Sequence, residues 1–363
     1  MTPTMGESRH TPLLLARGRA VTLGVALSLA LAACGGGGGG AKKGRSASAP
    51  SSSEAIPTTT TTAAPTYPLT GLPATDPAIL GRPALIVKIE NAPEARPQSG
   101  LDAADVVVEE KVEGGIVRFM VIFQSRDADP VGPVRSLRST DPPVVTPIGG
   151  LFAYSGGIRP FIALLHQAPV VDVGIDSAES AYYRRPGRPA PHNLYSSTAR
   201  LRQHTPAGTK PPPALFSYLD AGEAFAPAGV GLANHLDVPV GSMTSATWDW
   251  DAQGGFWRRG TNGTPHTVEG GAQLGFTNVI LQYVPYRNTG QFDVVREPVD
   301  EAAVVGSGDA IVLSQGKVVK ATWAKSSAAD ITHYSDAAGQ PIKLARGTTW
   351  VMLAPTGAPF HVQ

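Results

Sequence analysis

From residue 67 onward, apolar positions come in short runs broken by glycine, proline and polar pairs, the signature of strands joined by defined turns. The runs fall at 84–89, 106–108, 117–123 and 151–154, and again at 247–251, 255–259, 279–283, 292–296, 310–313, 317–322 and 348–353. Helical periodicity is scarce; 99–104 reads as a short turn, and 159–167 and 215–223 as helices. A proline-rich stretch at 206–213 marks a boundary. The pattern predicts an α+β fold, with a mixed, strand-rich N-terminal domain with few short helices (67–205) and a smaller, mostly antiparallel β domain (214–363).

The segment 105–124 is the most informative. Two apolar runs flank Gly114 and Gly115, which reads as a two-residue hairpin pairing Lys111 with Arg118, Glu110 with Phe119 and Glu109 with Met120. Alternation then sorts the side chains. One face carries Val106, Val108, Val112, Val117, Phe119, Val121 and Phe123, with Glu110 as the one charge among them. The other gathers Asp105, Glu109, Lys111, Glu113, Arg118 and Gln124 around Met120 and Ile122.

The beginning of the chain is different in kind. Arg9, Arg17 and Arg19 precede an uncharged apolar run at 20–31 that ends in Leu31-Ala32-Ala33-Cys34. A positive start, a short apolar run and small residues before a cut predict a lipoprotein signal peptide at 1–34, with lipidation at Cys34. Cys34 is the only cysteine, so disulfides and cysteine-rich zinc sites are excluded. Residues 35–66 are glycine, alanine, serine, threonine and proline with a small basic cluster, a composition that cannot bury a core. As a flexible linker it would reach on the order of 30 Å. The expected location is the extracytoplasmic face of the cell membrane, with a lipid anchor and the body held off the bilayer.

Charge changes the picture only by exclusion. The chain has 30 basic and 29 acidic residues, and the part beyond residue 66 is mildly acidic. No basic stripe with interleaved aromatics is present, so nucleic acid is not an expected partner. The eight histidines have no metal-ligand spacing, and neither a metal nor a cofactor is expected.

Candidate chemistry concentrates in the first half. Arginine concentrates at Arg82, Arg96, Arg118, Arg135 and Arg138, several of them beside proline or glycine and so on turns at the rim of strands; a cluster of Arg118, Arg135 and Arg138 would suit a carboxylate of a wall peptide or a phosphate of a wall polymer. The competing reading is internal pairing with Asp105, Glu109 and Glu113. His192 and Asn193 lie in a loop held extended by prolines, where the amide would orient the imidazole. His192 as a general base would need a partner such as Ser136, Ser139 or Ser155, none of which stands in a nucleophile elbow. Glu110 on a core face would have its pKa raised, the direction a glycan-cleaving acid needs. The tryptophans Trp248, Trp250, Trp257, Trp323 and Trp350 are candidates for sugar stacking or for core.

The segments Pro68-Leu-Thr-Gly-Leu72, Ala95-Arg-Pro-Gln-Ser-Gly100, Glu113-Gly-Gly115 with Arg118, Gly132-Pro-Val-Arg-Ser136 with Arg138, Pro191-His-Asn-Leu-Tyr195, Asn278-Val-Ile280, Trp323 and Thr349-Trp350 together resemble the YerB-like lipoprotein family. The resemblance covers most of the chain from Tyr67 onward and implies two domains and an export signal, but it supplies no catalytic residues. The residues themselves favour an anchored envelope protein that binds an anionic cell-envelope ligand or a protein partner. The alternative is a peptidoglycan hydrolase or lyase using Glu110 or His192 as acid or base.

Overall fold

The strongest apolar runs of the sequence become the middle of one mixed sheet. In the computed structural model, which describes residues 64–363, strands β1 (Leu85–Glu90), β2 (Val106–Lys111), β3 (Val117–Phe123), β4 (Leu151–Ala153) and β5 (Val171–Asp172) form one side of it. The strands Thr349–Pro355, Asn278–Val284, Gly306–Ser314, Lys317–Lys325 and His333–Ser335 continue it beyond β2. Thr349–Pro355 is the seam: it runs parallel to β2 on one side and to Asn278–Val284 on the other. The sheet is therefore continuous across the proline-rich stretch at 206–213.

Both faces of this sheet are covered, which is why β1, β2 and β3 place apolar residues on both sides rather than alternating, with a few charges set among them. One face packs on a second antiparallel sheet that contains His235–Gly241, Thr244–Asp251 and Phe256–Thr261. Trp248, Trp257 and Trp350 fill that interface, and Trp323 is buried on the opposite face. Trp350 makes edge contacts with Phe119, Trp248 and Phe276 at 5.0, 5.5 and 5.1 Å, so four of the five tryptophans are core, and Trp250 is half-buried against Trp257. Truncating one such ring costs about 3–5 kcal/mol. The other face packs on the short helices Asp141–Val145 and Arg159–Leu165.

The β2–β3 connection corrects the expected register. The turn is Glu113–Gly115, with Gly114 and Gly115 both at φ +70°, and Val112 N–H donates to the Ile116 carbonyl at 2.9 Å. With three residues in the loop, Glu110 faces Arg118, Glu109 faces Phe119 and Val108 faces Met120. That one-residue shift moves Arg118 onto the face of Glu110, and Phe119 onto that of Glu109.

Two further expectations fail for local reasons. Residues 215–223 are not a helix; Ser217–Tyr218 instead pairs in parallel with Lys343–Leu344. Residues 292–296 form the tip of the hairpin Tyr286–Phe292/Pro298–Ala302, closed by the Asp293 carboxylate accepting from Val295 and Glu297 N–H groups. Cys34, the leader 1–34 and the linker up to residue 63 lie outside the described residues. Among the described residues no helix is long and apolar enough to cross a membrane.

Candidate functional site

At one end of the main sheet, three neighbouring strands place charged side chains on the same face. Register aligns Glu110 of β2, Arg118 of β3 and Glu90 of β1 in one row, with Lys88 two residues before Glu90. All four are buried. Burying charge is costly unless it is paired, and here the pairing is dense. Lys88 Nζ contacts Glu110 Oε1 and lies 2.5 Å from Asp141 Oδ1, with all three side chains fully enclosed. Burial pushes the Asp141 carboxyl up to about 7, Lys88 opposing the shift and the charge of Glu110 adding to it.

The loop after β3 closes over this row. Residues 134 and 135 lie against the end of β1, where Arg135 N–H donates to the Lys88 carbonyl at 2.9 Å. Arg135 Nε then lies 2.8 Å from Glu90 Oε1, and His192 Nδ1 lies 2.7 Å from Glu90 Oε2. Glu113, from the β2–β3 turn, holds the other two arginines. Its Oε2 accepts from Arg138 Nε at 2.7 Å, and its Oε1 accepts from Arg118 Nη2 at 3.0 Å and from Arg138 Nη2. Burial lowers the pKa of Arg118, Arg135 and Arg138.

Arg118, Arg135, Arg138 and His192 are thus brought together, over Glu90, Glu110, Glu113 and Asp141. Asn193 is not part of the group, since its Oδ1 accepts from Arg184 Nη1 at 2.7 Å. Of the expected internal partners, Glu113 pairs as anticipated. Asp105 instead accepts from Gln124 N–H and Ser125, and Glu109 turns to the opposite face of the sheet. Glu90, Lys88 and Asp141 were not anticipated. The signal for the first two was two charges inside a run, Leu85–Glu90, that otherwise reads as core.

Access to the group is graded. The side chains of Arg118 and Arg138 are 5% and 6% exposed, whereas those of Arg135 and His192 are 22% and 16% exposed. A ligand would therefore meet Arg135 and His192 first. Several buried polar atoms have no hydrogen-bond partner: Glu110 Oε2, Arg118 Nε and Ser139 Oγ. Such atoms are uncommon in native interiors and suit a water or ligand group. With Nδ1 committed to Glu90, Nε2 of His192 is the nitrogen left for binding or proton transfer. A cleft of about 550 Å³ beside Glu113 is bordered also by Lys111, Glu297 and Asp300.

On the opposite face of β2, Glu109 Oε1 accepts from Arg259 Nη2 at 2.8 Å and its Oε2 from Trp350 Nε1 at 2.8 Å. Arg259 stacks 4.4 Å from the Trp350 ring. His266 lies beside Arg259, with Nε2 2.9 Å from Gln98 Oε1, and Gln98 Nε2 donates to the Glu90 carbonyl at 2.8 Å. The two buried polar groups therefore meet at the end of β1.

Two family models match this chain: Protein of unknown function (DUF3048) N-terminal domain over residues 69–210, and Protein of unknown function (DUF3048) C-terminal domain over residues 236–351. Together they cover more than half of the chain, which belongs to this family. Among similar proteins is “Putative lipoprotein YerB” of Bacillus subtilis (strain 168), 28% identical over 303 residues that span 79% of this chain and 86% of that protein. The crystal structure of the YerB protein from Bacillus subtilis matches the fold with a TM-score of 0.68 at 22% identity, over 82% of this chain and 99% of that one. The expected YerB-like family and the strand-rich α+β fold are both met.

Proposed function

We propose that this protein is a lipoprotein anchored through Cys34 on the extracytoplasmic face of the membrane, and that it binds an anionic envelope ligand through Arg118, Arg135, Arg138 and His192. The location rests on the sequence of residues 1–34 and on the name carried by the Bacillus subtilis relative. The binding reading rests on one observation above all: three guanidinium groups and one imidazole, from separate stretches of the sequence, sit at one sheet end, two of the four within reach of solvent. Guanidinium and imidazole groups held in place by Glu90 and Glu113 are pre-organised for a carboxylate or a phosphate. A protein partner would use the same exposed pair through an acidic side chain.

The test is titration of the full chain with a phosphate-bearing wall polymer and, separately, with a wall peptide bearing free carboxylates. Replacing Arg135 by Ala should weaken binding of the true ligand about tenfold, the loss expected for one charge-assisted contact. Equal affinity for wild type and Arg135→Ala with both ligands would remove the proposal.

A second reading has its own support. The Glu90–His192 pair resembles an oriented acid–base dyad, and the buried Glu110–Lys88–Asp141 group contains a carboxyl raised to about 7. A hydrolase or lyase of peptidoglycan would use His192 or Glu110 as acid or base. Binding is preferred because Glu110 and Asp141 are fully enclosed, whereas the part-exposed groups are the Arg135 guanidinium and the His192 imidazole.

A further inference from the structure

The strand Lys317–Lys325 alternates along most of its length, with Val319, Ala321 and Trp323 buried and Lys320, Thr322 and Ala324 exposed. Lys325 falls on the buried beat and is 3% exposed. A lysine at a position that the strand period assigns to core keeps a charge where an apolar side chain would be the less costly occupant. Its ammonium donates to the backbone carbonyl of Asp330, and among the described residues it forms no ion pair.

Lys325 also borders a narrow apolar cavity of about 70 Å³, open at one side and walled chiefly by Val108, Ile148, Phe216, Val351 and Leu353. On the remaining polar edge, Tyr334 OH donates to Gln282 Oε1 at 2.6 Å. The cavity therefore offers one unneutralised cation at the rim of an aliphatic slot. An apolar cavity of roughly 150 Å³ accepts a benzene-sized molecule, so this slot fits a slender chain of a few carbons rather than a ring.

We propose that this cavity binds a short aliphatic carboxylate, its tail in the apolar slot and its head paired with the Lys325 ammonium. The site is separate from the arginine and histidine group and does not depend on that group's role. Burial draws the Lys325 ammonium down to about 8, with Asp330 pulling the other way. Asp330 and Tyr334 are the titratable groups beside it; Tyr334 bonds Gln282, and the Asp330 carboxylate, which accepts from Ser327 Oγ, acts on Lys325 only at a distance and forms no ion pair with it.

The experiment is calorimetric titration of the full chain with sodium butanoate and with 1-butanol, which share a tail and differ in head. Butanoate should bind about tenfold or more tightly than butanol, because the charge-assisted contact exists only for the carboxylate. In Lys325→Met, butanoate should lose that advantage while butanol binds at least as well, which also reports that the variant's cavity is intact. Equal affinities of wild type for the two probes, or no butanoate binding at millimolar concentration, would overturn the proposal. The comparison on wild type stands even if the variant does not fold.

Discussion

At the residue scale, the chain places charges where apolar side chains are the default, and each carries a cost that a partner must offset. Arg259 and Glu109 are both fully buried, and breaking such a pair from one side typically costs about 3–5 kcal/mol because the survivor is stranded. His266 extends this network. Burial, Arg259 and Arg96 all hold its imidazole well below the ordinary 6.5, so the folded chain keeps His266 neutral while the unfolded chain protonates it below that value. The unfolded state then binds more protons, and folding stability falls as the pH drops below about 6.5. Urea unfolding at pH 7.5 and 5.5 should show this loss in wild type and a smaller one in His266→Asn, whose side chain does not titrate. Equal losses in the two proteins would show that His266 is not held neutral.

The partners of these residues were the part least legible from sequence. Arg118, Arg135, Arg138 and His192 stood out because arginines beside turns and a proline-held histidine carry local signals. Glu109 and Arg259 meet across 150 positions, and nothing local announces that.

At the element scale, one turn decides which side chains share a face. Most strands were readable because their apolar runs are short and punctuated, but the β2–β3 register was not, since Gly114-Gly115 fits a two-residue turn as well as the three-residue turn that forms. Amphipathic alternation was also the wrong guide for a strand covered on both sides. Of the two glycines, Gly115 is the more constrained: a Cβ there would run into Ser242, whereas at Gly114 nothing lies nearby. Both have φ of +70°, so alanine at either position carries the left-handed penalty of about 1 kcal/mol, and at Gly115 a steric cost adds to it. Thermal unfolding should find Gly115→Ala less stable than Gly114→Ala, and the reverse order would show that the turn does not rest on the 241–244 connection. Because Glu113 is in this turn, Gly115→Ala should also loosen Arg118 and Arg138.

At the scale of the whole molecule, the shared sheet sets where the candidate site lies. Thr349–Pro355 inserts beside β2, so the strand that carries Glu110 toward the arginines is held in place by the last long strand of the chain. The second sheet, through Arg259 and His266, supports the other face of the same strands. The site end of the sheet is thus braced from both directions, which suits a surface that recognises a ligand without moving far to do so.

The claim that this braced group binds rather than cleaves is open to one direct measurement: incubation of the full chain with purified wall polymer, followed by quantitation of both retained polymer and released fragments. Retention without fragments is expected, with loss of retention in Arg135→Ala. Fragments released by wild type and absent with Glu110→Gln would contradict it.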